Sequence, residues 1–339
     1  DTEEIIQRAE DAHQSRRKFL ENSGKALLVG TVAGLTPEGL LAQTFFKKTP
    51  RIVIVGAGIA GLSALHTLRK ANKHATIYES SGRAGGRMFT VQGVMGAGTW
   101  TEFGGEFIDT NHADMWALAK EHQLELLDYA RPSEQTLTKE AFFFEGKHYT
   151  LTDVVSQFRH FADRISKDAT KLPEGLYWKT KDPEVKRLDQ MSLSEYLETI
   201  GATGWIKRFI EVAYESEYGL SPQVQSAINL IILISTDTEG GKFELFGESD
   251  ERYKTKGGNQ LIADALAAKY AQYIQLNRSL TALRQKGHGY ELTFSGMNDV
   301  VKADFVILAI PFTRLRQIDL QINHMPEVKR KSIKELGYG

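Results

Sequence analysis

Cysteine is absent from the 339-residue chain. That absence removes disulfides, thiolate metal sites and cysteine nucleophiles from consideration, and it leaves the compartment open, because cytosolic and exported proteins alike are built without thiols. A surplus of charge of one sign is missing too: 42 Lys and Arg stand against 43 Asp and Glu, a formal net charge of -1. Nucleic acid and anionic membrane are therefore not expected as main partners. The 9 histidines show no metal-ligand spacing, so no metal site is expected. An apolar run near the start, Ala26 to Leu35, is too short to span a bilayer. The remaining composition, 41% hydrophobic and 25% charged, is that of a globular protein long enough for two domains.

What the chain does have is a glycine-punctuated stretch from Arg51 to Arg87. Ile52 to Val55 is a run of β-branched residues, and Gly56-Ala57-Gly58-Ile59-Ala60-Gly61 follows at once. A helical pattern comes next, with Leu62, Leu65 and Leu68 on one face, and a second strand from Ala75 to Tyr78 ends in Glu79. Strand, tight turn, helix, strand and terminal acid compose a dinucleotide site. Gly56 permits the turn, Gly58 lets the backbone approach a pyrophosphate, and Gly61 lets helix and strand pack closely. The free N–H groups of the helix N-terminus face the anion, and Glu79 accepts from a ribose diol. A second glycine-rich turn, Gly82-Arg83-Ala84-Gly85-Gly86-Arg87, adds two guanidinium groups. A nicotinamide site has no need of them; the phosphate charge of a bound FAD does.

The pattern G-x-G-x-x-G-L, then the acid, then R-x-G-G-R resembles the FAD-dependent amine oxidase family of monoamine, polyamine and L-amino-acid oxidases. The resemblance implies an α/β fold: a Rossmann-like FAD domain of the glutathione-reductase type with an inserted, mainly helical substrate domain. It implies that Gly56, Ala57, Gly58, Ala60 and Gly61 form the phosphate turn, that Glu79 and Ser80 lie at the adenosine ribose, and that Gly86 and Arg87 lie at the pyrophosphate. Arg83 reads as a supporting residue. Gly104, Gly105, Glu106 and Phe107 would lie beside the flavin ring, where only bare backbone passes close. Leu280 would touch the adenine. Attachment of the flavin through a cysteine is excluded.

The expected domains are an N-terminal arm over 1–49, the first part of the FAD domain over 50–110, the substrate domain over 111–245 and the second part of the FAD domain over 246–339. Within the arm, Ser15-Arg16-Arg17-Lys18-Phe19-Leu20 resembles a twin-arginine export leader, which implies a periplasmic or secreted protein; an ordinary basic arm would leave it cytoplasmic. Periodicity predicts a strand over 88–91, a helix over 111–127, a hairpin over 142–149 turning at Glu145-Gly146, helices through 151–234, and a linker over 171–189. Later come a strand entry at 250–253, a helix over 261–270, strands at 274–276 and from 278, a hairpin over 290–302, and one buried strand over 303–311.

Many L-amino-acid oxidases place an arginine two residues after the glycine pair to grip the substrate carboxylate. Phe107 stands there, preceded by Glu106, which favours a simple amine over an amino acid unless a cation arrives from elsewhere. Glu106, Phe107 and Tyr218 are candidates for the substrate cavity; Tyr214, Trp178 and Trp205 fit either an amine cage or the core. The resemblance puts the catalytic residues beyond Gly339 and implies oxidation of a carbon–nitrogen bond to an imine, then a carbonyl compound and ammonia, with O2 reduced to H2O2. Its implied partners are a small amine or amino acid, dioxygen, a C-terminal chain of the same precursor and a second copy in a homodimer. A flavin desaturase acting on carbon–carbon bonds and a non-catalytic truncated homologue are the alternatives.

Overall fold

The computed structural model describes residues 49–131, 140–173, 176 and 180–337. The twin-arginine segment Ser15 to Leu20 and Trp178 lie outside the described residues. Two compact units divide the chain, one holding residues up to Tyr129 and Glu251–Leu336, the other Ala130–Asp250.

The first unit begins with β1 (Ile52–Val55), α1 (Ile59–Lys70), β2 (Ala75–Tyr78), β3 (Thr90–Gln92), β4 (Trp100–Glu102), α2 (Ala113–Glu121) and β5 (Leu126–Asp128). The helix expected over 111–127 is therefore two elements. Gln123 takes a left-handed φ of 56°, which ends the helix, and the apolar Leu126 and Leu127 pair with a later strand instead. The strand expected over 88–91 starts at Thr90, because Met88 closes the second glycine turn by donating its N–H to the Gly85 carbonyl.

The second unit holds the hairpin β6 (Phe142–Phe144) and β7 (Lys147–Tyr149), then α3 (Leu151–Ala169), α4 (Pro183–Gln190), α5 (Leu193–Thr199), α6 (Gly204–Tyr218) and α7 (Ala227–Ile231). Local chemistry sets these starts. Thr150 with Asp153 and Ser192 with Glu195 form reciprocal capping boxes on α3 and α5, and Gly219 ends α6 at φ 65°. The stretch expected as a linker over 171–189 ends in α4, since the Asp182 carboxylate caps Glu184 and Val185 and Pro183 occupies the first turn. Buried Phe158, Ile165, Leu188, Leu197, Ile210 and Tyr214 make the core.

The chain re-enters the first unit through β8 (Tyr253–Thr255), α8 (Gln260–Lys269), β9 (Ile274–Gln275), β10 (Leu280–Lys286), β11 (Gly289–Phe294), β12 (Val301–Ala303), β13 (Phe305–Leu308), α9 (Phe312–Leu315), β14 (Asp319–Gln321) and α10 (Glu327–Glu335). The parallel sheet runs β13-β1-β2-β9. Alternation along its strands makes three layers. Ile54 and Ile77 face Leu62, Leu65, Ile262 and Leu266 of α1 and α8. Val53, Val55 and Tyr78 face the second sheet, β12-β11-β10-β14, where the Tyr78 ring stacks on Phe294 at 4.2 Å. The single strand expected over 303–311 is split at Asp304: β12 ends one sheet, β13 opens the other, and Phe305 is 60% exposed on the sheet edge. The compact units change over at 129/130 and 250/251 rather than at 110/111 and 245/246, because β5 and β8 pair with each other and keep α2 with the first unit.

Charged clusters brace each unit. In the second, Asp168 is 1% exposed and accepts from Lys171 Nζ (2.8 Å), Tyr196 Oη (3.0 Å) and Arg164 Nε (3.2 Å). Burial pushes its carboxyl up, yet these donors hold it below its ordinary value. In the first, Glu121 of α2 accepts from Lys269 of α8 (2.7 Å) and Lys70 of α1 (2.9 Å), with His66 Nε2 at 3.2 Å. Lys269 foremost, then Lys70, draws the Glu121 carboxyl from 4.5 to about 2 against the effect of burial. Burial holds the His66 imidazole below 6.5, with Lys70 adding to it and Glu121 opposing.

Asp168→Ala strands the buried Tyr196 hydroxyl and is expected to destabilise the protein by about 2–3 kcal/mol in chemical unfolding; an unchanged midpoint would show the cluster to be inert. Acid acts on the first unit in two ranges. A lowered histidine costs stability once pH falls below 6.5, because the unfolded chain takes the proton first. A lowered glutamate stabilises above 4.5 and loses that contribution as pH falls toward about 2. Urea midpoints should decline from near pH 6.5, and Glu121→Gln should flatten the decline below pH 4.5.

Candidate functional site

The glycine turn lies beyond the carboxyl end of β1, the position where parallel sheets hold ligands. Gly56 has φ 102°, and a Cβ there would stand 2.6 Å from the Ala309 carbonyl oxygen. A Cβ on Gly61 would stand 1.9 Å from the Gly56 carbonyl oxygen, so α1 packs on the turn at a distance that only glycine allows. No side chain caps α1, and its first turn carries no acid. Its first N–H groups lack intrahelical acceptors and point a partial positive charge outward. Ala60 is exposed on that first turn and Ala57 is buried beneath it.

Glu79 ties the second strand tip to this turn. Its Oε2 accepts from the Ala57 N–H at 2.7 Å, and its Oε1 accepts from the Ser81 N–H at 2.8 Å, the Ser81 hydroxyl at 2.9 Å and the Ser80 hydroxyl at 3.1 Å. Oε2 keeps a lone pair for a further donor. The second glycine turn is welded to the first: Gly85 N–H donates to the Ala57 carbonyl at 2.9 Å, and a Cβ on Gly86 would come within 3.0 Å of Gly58 Cα. Arg83 serves this turn from within, donating to the Gly86 carbonyl at 2.7 Å and the Ala84 carbonyl at 3.0 Å, with its guanidinium over the Phe89 ring. Arg87 is exposed at the end of the same turn.

A cavity of about 480 Å³ opens here, lined by Gly56, Glu79, Ser80, Leu280, Arg278 and Arg314 among others. The structure thus brings four of the expected residues onto one cavity wall. The two arginines were not expected. Arg278 is held beside Glu79 by its N–H donating to the Glu79 carbonyl at 2.7 Å, a contact between the residue that follows β2 and the approach to β10 that only folding creates. Two cations against one carboxylate give this mouth a net attraction for anions.

Gly104 and Gly105 lie against Arg87: a Cβ on Gly104 would be 1.8 Å from the Arg87 carbonyl oxygen, to which Gly105 also donates at 3.0 Å. Gly105 itself faces open space. Asn259, 2% exposed, clamps the segment, its Nδ2 donating to the carbonyls of Gly105 (3.1 Å) and Glu106 (2.8 Å) while its Oδ1 accepts from Thr255 N–H (2.8 Å). Glu106 meets Lys254 Nζ at 2.6 Å, and that ammonium sits 4.2 Å from the Phe107 ring centroid. Asn259 and Lys254 had no sequence signal, since each acts across elements that are more than 140 residues apart in the chain. Tyr218 belongs to the second unit, where its ring stacks with Tyr214 at 6.1 Å; Trp205 stacks on Tyr149 at 3.9 Å. Among the described residues no group of His, Asp and Glu could hold a metal.

These glycine cradles fit a dinucleotide with two phosphates, and the comparisons with known proteins agree. A family model, flavin containing amine oxidoreductase, matches residues 59–339. A flavin-containing amine oxidase of Danio rerio is 23% identical over 288 residues, covering 82% of this chain and 52% of that protein. A putative flavin-containing monoamine oxidase of Mycobacterium tuberculosis is 26% identical over 271 residues, 78% of this chain and 57% of its own length. The solved structure of putrescine oxidase bound to putrescine shares the fold, with a TM-score of 0.69, 20% identity and coverage of 86% of this chain and 64% of that one. The chain spans about half the length of the curated relatives it matches.

The glycine contacts set the expected outcome of substitution. Gly61→Ala should destabilise the protein by about 3 kcal/mol, as overpacking does, whereas Gly105→Ala, with nothing within 4 Å of its added carbon, should leave the unfolding midpoint unchanged. Equal effects from the two would contradict the packing described.

Proposed function

We propose, from the premise that the chain belongs to the flavin containing amine oxidoreductase family, that the intact protein oxidises the carbon–nitrogen bond of a primary amine or L-amino acid. The amine becomes an imine, which hydrolyses to a carbonyl compound and ammonia, while O2 takes the two electrons and two protons to become H2O2. The family is one of FAD-dependent oxidoreductases. FAD, when bound, supplies the two-electron acceptor for this chemistry.

The observation that carries the reading is the pair of glycine turns joined by Ala57 and Gly85 and closed by the Glu79 carboxylate. In this reading the turn Gly56, Ala57, Gly58, Ala60 and Gly61 and the N-terminus of α1 hold the pyrophosphate, helped by Gly86 and Arg87. Glu79 Oε2 accepts from a ribose hydroxyl, and Ser80 and Leu280 line the adenosine end. Gly104 and Gly105 leave the ring edge bare, with Glu106 and Phe107 next in the chain toward the substrate. Asn259 holds that glycine segment in place and so keeps its open face clear. The substrate must lose its ammonium proton before it can be oxidised, so activity should rise with pH toward the pKa of the amine. Export through the twin-arginine route, signalled by Ser15 to Leu20, would deliver the protein folded with FAD in place to the periplasm.

The deciding experiment is anaerobic addition of amines and L-amino acids to the intact, FAD-loaded protein, followed by air. Flavin absorption should bleach with one substrate class and return with air, with release of H2O2. Bleaching without return in air would replace O2 by another acceptor; no bleaching with any amine or amino acid would overturn the reading.

A further inference from the structure

The cavity of about 480 Å³ beside Glu79 carries two guanidinium groups that belong to neither glycine motif. Arg278 enters from the approach to β10. Its backbone N–H donates to the Glu79 carbonyl at 2.7 Å, and Asn277 before it, at a left-handed φ of 58°, donates to the Ser81 carbonyl at 3.0 Å. Arg314 enters from α9. The Ala309 N–H donates to the Val55 carbonyl at 2.8 Å, and the Ile310 side chain stands 3.0 Å from where a Cβ on Gly56 would lie, so the chain runs into α9 directly from the phosphate turn.

Neither guanidinium has a carboxylate partner among the described residues. Arg278 is half-buried, with Nη1 donating to the Asn277 carbonyl at 3.1 Å, and Arg314 is exposed. The acids nearby are already engaged. Glu79 accepts from the N–H groups of Ala57 and Ser81 and from two hydroxyls, and Asp319, next in the chain after the lining residue Ile318, is ion-paired with Arg284. A charge at a wet rim adds little to a bound state, because water screens it, yet its field meets an approaching anion at about a Debye length, ~10 Å at 0.1 M salt. The glycine turns work the other way: their N–H groups act at contact, once the phosphates have arrived. The chain as a whole does not draw the cofactor in, since its formal net charge is -1 and a pyrophosphate is itself anionic.

We infer that Arg278 and Arg314 form a cationic mouth that captures the pyrophosphate of the incoming dinucleotide and delivers it to the glycine turns, and that the Arg314 charge sets the rate of cofactor loading rather than the strength of the hold. Retention is left to the two turns, the N-terminus of α1 and Glu79. FAD as the cofactor of the family is all that this requires; which bond the flavin oxidises does not enter.

The test separates loading from loss. The intact protein, freed of its flavin, is mixed rapidly with FAD and loading is followed by the change in flavin fluorescence; loss is followed in the same signal after dilution of the loaded protein. At low ionic strength Arg314→Met should load about 3-fold more slowly and Arg314→Glu about 10-fold more slowly, one and two unit charges being removed from the path of two phosphates. Arg314→Lys should load at the unaltered rate, and Arg278→Met should slow loading in the same sense as Arg314→Met. The differences should close at ~1 M salt, where the Debye length is about 3 Å. Loss should change by less than about 2-fold in each Arg314 variant, as for a rim charge. Arg314 is exposed, so its variants keep the fold and carry the test if Arg278→Met does not. Equal loading by the Lys, Met and Glu variants at 314, a slowing that persists at ~1 M salt, or an effect expressed mainly as faster loss would overturn the inference; the last would make Arg314 a contact of the bound cofactor. A protein that loads FAD as expected and is bleached by no amine defeats the amine-oxidation reading and leaves the role of the two arginines standing.

Discussion

Backbone packed on backbone at Gly56 and Gly61 is the constraint on which the rest of the first unit depends. With no Cβ at 61, α1 approaches the end of β1 so closely that its N-terminal N–H groups and the Gly56 turn share one surface. From that contact the other parts follow in order. The Ala57 N–H is left facing Glu79, the Ala57 carbonyl faces Gly85, and the second glycine turn is drawn onto the first. Arg87 then ends beside Gly104, which extends the bare backbone surface to the open face of Gly105. One glycine contact is thus followed by close backbone contacts through four chain segments, from Gly56 to Gly105.

The acids of this protein divide by what they touch. Glu121 and Asp168 are braces: each gathers lysines or an arginine from neighbouring turns or helices, and each is held ionised by those donors. Glu79 and Glu102 fix loops by accepting from backbone N–H groups, at Ala57 and Ser81 in one case and at Asn259 in the other. Glu106 alone stands half exposed at the edge of the glycine segment, and its charge is answered by Lys254. A charge-balanced composition is thereby resolved into local pairs, which is why a chain of formal net charge -1 still offers an anion-attracting mouth at Arg278 and Arg314.

The segment Gly104 to Phe107 is held from two sides within the first unit. Asn259 holds its carbonyls from one side, and the Lys254 ammonium holds Glu106 and the Phe107 ring from the other. In the proposed reaction the first contact would keep the flavin edge open.

The sequence by itself determined the elements whose signals are local. The β-branched run Ile52 to Val55, the glycine spacing of 56 to 61, the acid at 79, the Glu145-Gly146 hairpin and the cap residues Thr150 and Ser192 each dictate backbone geometry within a few residues. These are enough to read the α/β class and the dinucleotide turn. Only the tertiary structure decided the rest. Leu126 and Leu127 look helical until Tyr253 to Thr255 offers them a strand partner, and the run around Asp304 looks like one strand until two sheets compete for its ends. Asn259 and Lys254 acquire their roles from contacts more than 140 residues distant. Periodicity carries information about which face of an element is apolar; it carries none about which distant segment will cover that face, and the contacts of β8 with β5 and with the glycine segment exist only once the chain has closed.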